Sequence, residues 1–290
     1  MNPAPASMAS LYRRALAGAL RGPSRRPNQL RDVELAWTGV RVDRDHLRRY
    51  QRVCQFRLTE ALPPTYPHVL AFPLALALMT RGDFPLPLLG LVHLANTIEQ
   101  ARPLTADEVF DLSVRAENLR EHDRGRAVDL LAVATVEGTE VWRGRSVYLR
   151  KERRSMVRAG GEHPAPPAAA AVWSVGAEVG RAYALVSGDR NPIHTSRLAA
   201  KAFGFPRRIA HGLWSKARCL AALEGRLPDQ LTVDVTFGRP VLLPSTVAFS
   251  TEPGPDDWRF GLYEPATGRP HVLGTIARGQ ATYPLVGLPG

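Results

Sequence analysis

The sequence predicts an α+β protein made of two diverged copies of one unit, each a helix laid across an antiparallel sheet. Three observations predict it. Helix-period segments are followed in both halves by runs that alternate apolar and polar residues, punctuated by turn residues. Matching features recur at a near-constant offset: Tyr50 and Tyr183 lie 133 residues apart, and Ala101-Arg102-Pro103-Leu104 and Gly238-Arg239-Pro240-Val241 lie 137 apart. Residues 155–172, rich in Pro and Ala and without hydrophobic period, read as a linker between the halves.

Each element follows in order. Residues 1–32 form a basic N-terminal segment, with Arg13, Arg14, Arg21, Arg25, Arg26 and Arg31 and no acid before Asp32. This resembles a mitochondrial presequence, but the chain's arginine bias produces the same pattern, so a cytoplasmic location is expected, with organellar import as the alternative. In the first unit, residues 33–154, a helical stretch at 43–51 runs into Val53-Cys54. Residues 63–74 carry Pro63, Pro64, Pro67 and Pro73, which predicts that no regular long helix forms there. Strands are predicted at 92–98, 112–114, 128–136 and 141–149, the last two joined around Gly138. In the second unit, residues 173–290, Val175, Val179, Ala182 and Val186 mark a helix stopped by Gly188. A second helix covers 213–223, with Leu213, Ala217, Leu220 and Leu223 on one face. Strands follow at 231–237, 247–251, 258–263 and 272–282, with a hairpin turn at 265–268.

Composition narrows the function. The chain has 290 residues, 44% hydrophobic and 22% charged, enough for a full core and unlike a disordered chain. Two cysteines, Cys54 and Cys219, exclude a disulfide scaffold and read as small core residues of a reducing compartment. The longest apolar run, residues 69–79, is too short to span a membrane. The net charge of +11 suggests nucleic acid, but only Lys151, Lys201 and Lys216 of the 38 basic residues are lysines, and the arginines are spread over the whole chain. No zinc-finger spacing, RNP motif or basic helix with interleaved aromatics accompanies them, so no nucleic-acid partner is expected.

The stretch Tyr183-Ala184-Leu185-Val186-Ser187-Gly188-Asp189-Arg190-Asn191-Pro192-Ile193-His194 carries the chemistry. Gly188 ends a helix and Asn191-Pro192 forces a turned backbone, which places Asp189, Asn191 and His194 on one ordered loop. An acid, an amide and an imidazole around one point can hold and activate a water. Downstream, Ala210-His211-Gly212 abuts a helix start, whose free N–H groups and positive dipole suit a developing oxyanion.

These residues resemble the signature of the MaoC-like, hydratase-2 type enoyl-CoA hydratases and 3-hydroxyacyl-thioester dehydratases: an aromatic, then Ser-Gly-Asp-x-Asn-Pro-aliphatic-His. Ile209-Ala210-His211-Gly212-Leu213 is similar to that family's second motif. The resemblance is specific in residues 171–290 and architectural in 33–150. It implies a double hot-dog, with a degenerate N-terminal half (33–154) and a catalytic C-terminal half (173–290). It also implies reversible syn hydration of trans-2-enoyl thioesters to (R)-3-hydroxyacyl thioesters in fatty-acid or related acyl metabolism. Asp189 and His194 would share base and acid duties, Asn191 would orient the water or Asp189, and the Gly212 N–H would bind the thioester oxygen.

The loosened first half would leave room for an acyl chain along Tyr66, Val69, Leu70, Phe72 and Leu74. Lys201, Arg207, Arg208 and Lys216 are the candidates for the anionic coenzyme A tail. No metal or separate cofactor is expected, since no ligand cluster is visible in the sequence. The thioester is carried by coenzyme A or an acyl-carrier protein. A carrier-linked dehydratase, a hot-dog thioesterase and a non-catalytic acyl-thioester-binding subunit stay open as alternatives, as do a monomeric pseudo-dimer and a homodimer.

Overall fold

The computed structural model describes residues 8, 10–13, 27–151, 168–254 and 257–279. Ten strands form one antiparallel sheet. The first half contributes β1 (Glu34–Arg41), α1 (Arg44–Cys54), α2 (Tyr66–Met79), β2 (Leu91–Gln100), β3 (Val109–His122), β4 (Gly125–Val136) and β5 (Thr139–Lys151). The second contributes β6 (Ala171–Val175), α3 (Val179–Ser187), the short α4 (Pro192–Thr195) and α5 (Arg197–Ala202), α6 (Gly212–Ala222), β7 (Leu231–Phe237), β8 (Ser245–Pro253), β9 (Asp257–Tyr263) and β10 (Pro270–Arg278).

The strand order is β1-β3-β4-β5-β2-β7-β10-β9-β8-β6. Read outward from the centre, both halves have the same order, so each is the same unit and the two are joined back to back through β2 and β7. That junction pairs Ala95 with Thr236 and Gln100 with Leu231. Thr97 Oγ1 donates across it to Asp234 Oδ1 at 2.5 Å. In this register α1 matches α3 and α2 matches α6. Tyr50 and Tyr183, the pair that suggested the repeat, are both fully buried and face each other with ring centroids 6.2 Å apart. Each unit is the expected hot-dog, a helix cradled by its half of the sheet.

Local chemistry explains the helix ends. Asp43 caps α1, its Oδ1 accepting from the Asp45 and His46 N–H groups at 2.9 and 3.1 Å. α1 ends in a left-handed residue, Gln55, with φ of 63°, and α3 ends likewise at Gly188, with φ of 74°. α6 starts on His211, whose side chain makes no cap bond, so its first N–H groups stay open.

The structure corrects the sequence reading in several places. Residues 63–74 were expected to be broken by proline, yet α2 runs 14 residues with Pro73 inside it. Pro67 falls in the first turn, where its missing N–H costs nothing, and burial on most sides holds the helix through Pro73. β1 and β6 were not anticipated. Val175 belongs to β6, not to the following helix, and Ala171 and Val172, placed in the linker, begin that strand. Residues 155–167 of the linker and the 280–282 end of the last expected strand lie outside the described residues, as do residues 1–7, 9 and 14–26 of the basic segment. Cys54 and Cys219 are free and fully buried.

Candidate active site

The chemistry-bearing loop leaves α3 at Gly188, whose left-handed backbone favours a residue without Cβ. It is then fixed by its own polar groups. The Asp189 N–H donates to Ser187 Oγ at 3.1 Å, and the Asn191 N–H donates to Asp189 Oδ1 at 3.1 Å. Asn191 Oδ1 caps α4 by accepting from the Ile193 N–H at 3.3 Å, and Pro192 takes the first helical position. Asn191 thus reaches Asp189 through its backbone, while its side-chain oxygen serves the turn that carries His194.

His194 is buried, and its Nδ1 lies 2.8 Å from the Ile209 carbonyl. A carbonyl only accepts, so Nδ1 carries the proton and Nε2 keeps a lone pair. Ile209 is itself pinned by a β-bridge to Leu242, and the next N–H, of Ala210, donates to the Val241 carbonyl at 2.9 Å. Gly180 makes this arrangement possible: a Cβ there would lie 2.3 Å from the His194 carbonyl oxygen.

His211 completes the cluster. Its ring stacks on His194 with centroids 3.6 Å apart, and its Nε2 donates to the Asp189 carbonyl at 2.9 Å, leaving Nδ1 buried without a partner. The same Nε2 stands 3.9 Å from Asp189 Oδ2. Burial pushes both imidazoles down, only partly offset by the Asp189 charge. His211, also disfavoured by His194, falls to about 3, and His194 falls in the same direction. Both rings are therefore neutral near pH 7. Asp189 keeps about a third of its side chain exposed.

Gly212 opens α6 directly after His211. A Cβ at 212 would touch the Phe237 ring at 3.0 Å. Asp189, His194 and His211 bring donor atoms within 4.8 Å of one another, a metal-binding donor set that the sequence reading had not found. His194 Nδ1 and His211 Nε2 already serve backbone carbonyls, which leaves His194 Nε2 and His211 Nδ1 as the uncommitted ring nitrogens.

A narrow seam of about 10 Å³ runs between α2 and strands β3–β5 of the first half. It is lined by His68, Ala71, Ala75, Leu130, Gly144 and Tyr148 among others. The sequence reading placed acyl room along Tyr66, Val69, Leu70, Phe72 and Leu74; the seam lies on another face of α2 and none of these five lines it. Val69 packs into the core, and Tyr66 is buried with its hydroxyl 2.8 Å from His46 Nδ1. Ala71, Ala75, Ala132 and Gly144 leave the seam between the larger His68, Val114, Leu130 and Tyr148. Phe72 does come to the site, with its ring 3.6 Å from where a Gly188 Cβ would stand. Burial drives the His68 imidazole down to about 4, helped by Lys216 and opposed by Asp189.

The cation candidates divide. Lys201 and Arg207 are exposed and Arg208 half-buried, and they sit in a stretch, residues 190–223, that contains no acid. Arg207 Nη1 donates to the Pro244 carbonyl at 2.8 Å. Lys216 is not a phosphate ligand. It is fully buried, and its Nζ donates to the Asn96 carbonyl, Asn96 Oδ1 and the Val233 carbonyl at 3.0, 2.7 and 3.0 Å. It ties α6 to both strands of the central junction. Sequence reasoning also passed over His68 and Tyr12. The Tyr12 hydroxyl accepts from the Arg190 N–H at 2.6 Å and lies 3.1 Å from the Gly188 carbonyl and 3.4 Å from Asp189 Oδ1.

Comparison with known proteins bears on the whole chain and its fold. The MaoC like domain matches residues 164–259. The chain is 38% identical over 269 residues to 3-hydroxyacyl-thioester dehydratase X of Mycobacterium tuberculosis, covering 91% of this chain and 95% of that protein. The crystal structure of HtdX from M. tuberculosis superposes with a TM-score of 0.77 at 37% identity, over 86% of this chain and all of that one. A MaoC-like dehydratase from Phytophthora capsici superposes with a TM-score of 0.71 over 87% of this chain and 96% of that one; at 18% identity it speaks for the fold alone.

Proposed function

The chain belongs to the MaoC-like dehydratase family, and from that premise we propose that it interconverts trans-2-enoyl thioesters and (R)-3-hydroxyacyl thioesters by adding or removing water. The observation that carries the reading is the clustering of Asp189, His194 and His211, with donor atoms within 4.8 Å of one another and His194 Nε2 bare, directly before the helix start at Gly212. The C-terminal half is the catalytic one.

The steps follow from the atoms. A water sits between Asp189 Oδ2 and His194 Nε2. As its oxygen bonds to C3 of the enoyl thioester, one of its protons passes to this pair. The C2=C3 electron pair moves toward the carbonyl, and the thioester oxygen gains the negative charge that the Gly212 N–H and the α6 dipole stabilise. The pair then returns a proton to C2 on the same face. Water is consumed, no electrons are exchanged, and the reverse sequence is the dehydration. Because the backbone N–H handles the oxyanion, the mechanism requires no metal or further cofactor.

The acyl chain enters along the seam beneath α2, past Phe72, and the seam widens to admit it. The anionic carrier of the thioester, coenzyme A or an acyl-carrier protein, lies toward Lys201, Arg207 and Arg208. Among the described residues no helix is long and apolar enough to cross a membrane. The free, buried cysteines fit a reducing cytoplasm. Either a monomer or a homodimer is compatible with a chain that already pairs two hot-dogs.

Incubation with crotonyl-CoA and a medium-chain enoyl-CoA tests the reading, followed by loss of the conjugated-thioester absorbance and chiral analysis of the product. An (R) alcohol is expected. Hydrolysis to free acid without hydration would establish a thioesterase instead, and binding without turnover would establish an acyl-thioester-binding subunit.

A further inference from the structure

Residues 10–13 of the N-terminal segment lie against the active-site loop. Residues 10–13 are helical, and Leu11, fully buried, packs with Phe72 and Leu76 of α2 in a small apolar cluster that Met8 and Tyr12 join. Met8 closes over Gly188, with Cε 3.0 Å from where a Cβ would stand. This seat delivers the Tyr12 hydroxyl to the start of the catalytic loop, where it meets three consecutive residues. It takes the N–H of Arg190, and its single proton is shared between the Gly188 carbonyl and Asp189 Oδ1.

The consequence for Asp189 is a division of labour between its oxygens. Oδ1 is held from two sides, by the Asn191 N–H and the Tyr12 hydroxyl. Oδ2 is left toward His211 and the His194 face, where the water must sit. A carboxylate that could rotate would offer either oxygen in varying directions. One whose Oδ1 is fixed offers Oδ2 in one direction only, and proximity catalysis is steep in such small displacements.

We propose that Tyr12 is a positioning residue: its hydroxyl locks the Gly188–Arg190 backbone and Asp189 Oδ1, so that Oδ2 stays aimed at the reacting water. Burial, reinforced by the Asp189 charge, holds the phenol well above its ordinary pKa, so it remains a hydroxyl through the working range. The role rests on the hydratase reading above.

The test is Tyr12→Phe in the full chain. It keeps the ring in its apolar seat and removes only the hydroxyl. With crotonyl-CoA, kcat is expected to fall about tenfold, the usual worth of a hydrogen bond to a charged group. KM should stay within about twofold and the melting temperature within a few degrees, and the solvent deuterium isotope effect on kcat should rise as proton transfer from water becomes slower. Leu11→Ala is the comparison: it loosens the seat, leaves the hydroxyl, and should lower stability more and kcat less than Tyr12→Phe. Unchanged kcat in Tyr12→Phe would overturn the role. So would kcat losses in the two variants that simply track their losses in melting temperature, since that would make the segment structural only. If the wild-type chain does not hydrate enoyl thioesters at all, the functional reading fails first, and that outcome is distinct from both.

Discussion

Replacing His194 by Ala removes two things that the structure separates. One is chemical: the Nε2 lone pair that shares the water with Asp189. A positioned acid–base group is worth about 10²–10⁴ in rate, or about 3–5 kcal/mol of barrier. The other is structural. The buried Nδ1–H bond to the Ile209 carbonyl at 2.8 Å disappears and leaves that carbonyl without its partner, at a cost of about 1–3 kcal/mol. His194→Ala should therefore lower kcat by 10²–10⁴ and also lower the melting temperature by several degrees. Reading the sequence alone, one would expect groups facing a water cavity to leave stability unchanged; the burial of His194 revises that expectation.

Asp189→Asn supplies the contrast, because an amide keeps the volume and an oxygen acceptor for the Asn191 N–H. It should cost about the same in rate with little change in melting. The two groups act on one water, so the double variant should be no worse than about 10²–10⁴, far from the product of the single losses. The assay is loss of enoyl-thioester absorbance with crotonyl-CoA, run beside a thermal melt of each variant. Near-normal turnover by a folded His194→Ala protein would refute the catalytic assignment. Rate losses that multiply in the double variant would refute the shared water.

Three further outcomes follow from the same geometry. His68 and His211 are held neutral by burial, with folded values near 4 and 3 against an ordinary 6.5, so the unfolded chain binds more protons below pH 6.5. Their stabilisation is complete above that pH and is lost as pH falls, by about 1.4 kcal/mol per pH unit for each. Melting temperature should drop already between pH 6 and 5, above the range where the paired carboxylates Asp83 and Glu108 titrate, and a flat melt across that window would contradict it. Lys216→Met should lower the melting temperature while leaving the KM for enoyl-CoA within twofold, since Lys216 ties α6 to β2 and β7; a raised KM with unchanged stability would restore it as a phosphate ligand. Dialysis against a chelator should leave hydration of crotonyl-CoA unchanged, and activity that is lost and then restored by a divalent cation would make the Asp189–His194–His211 cluster a metal site.

What the sequence disclosed and what it hid divide along physical lines. The strands of the second half and the helix ending at Gly188 were legible because alternation, helical period and a glycine stop all agreed. β6 was hidden because five residues, AVWSV, follow directly on an Ala run and show too little alternation to stand out. α2 was misread because a proline rule for exposed helices was applied to one that burial holds together. Lys216 was misassigned by its charge, although its position was readable: with Leu213, Ala217 and Leu220 it falls on the face that the helical period places inward. Asp189 and His194 were visible because the loop that binds them is local. Tyr12 was not, since it acts on a residue 177 positions away and only the fold brings them together.

The comparison of the halves carries the same lesson into function. Gln55 and Gly188 end matching helices in the same left-handed conformation, so the duplicated backbone reaches the equivalent place twice. After Gly188 the chain spends that turn on Asp189 and His194. After Gln55 it runs Phe56-Arg57-Leu58-Thr59, with no acid or imidazole to hold a water. The first half places Ala71, Ala75 and Gly144 under α2, where a narrow seam remains. Neither half is expected to turn over substrate alone, because on the proposed reading the second holds the water and the first flanks the acyl chain.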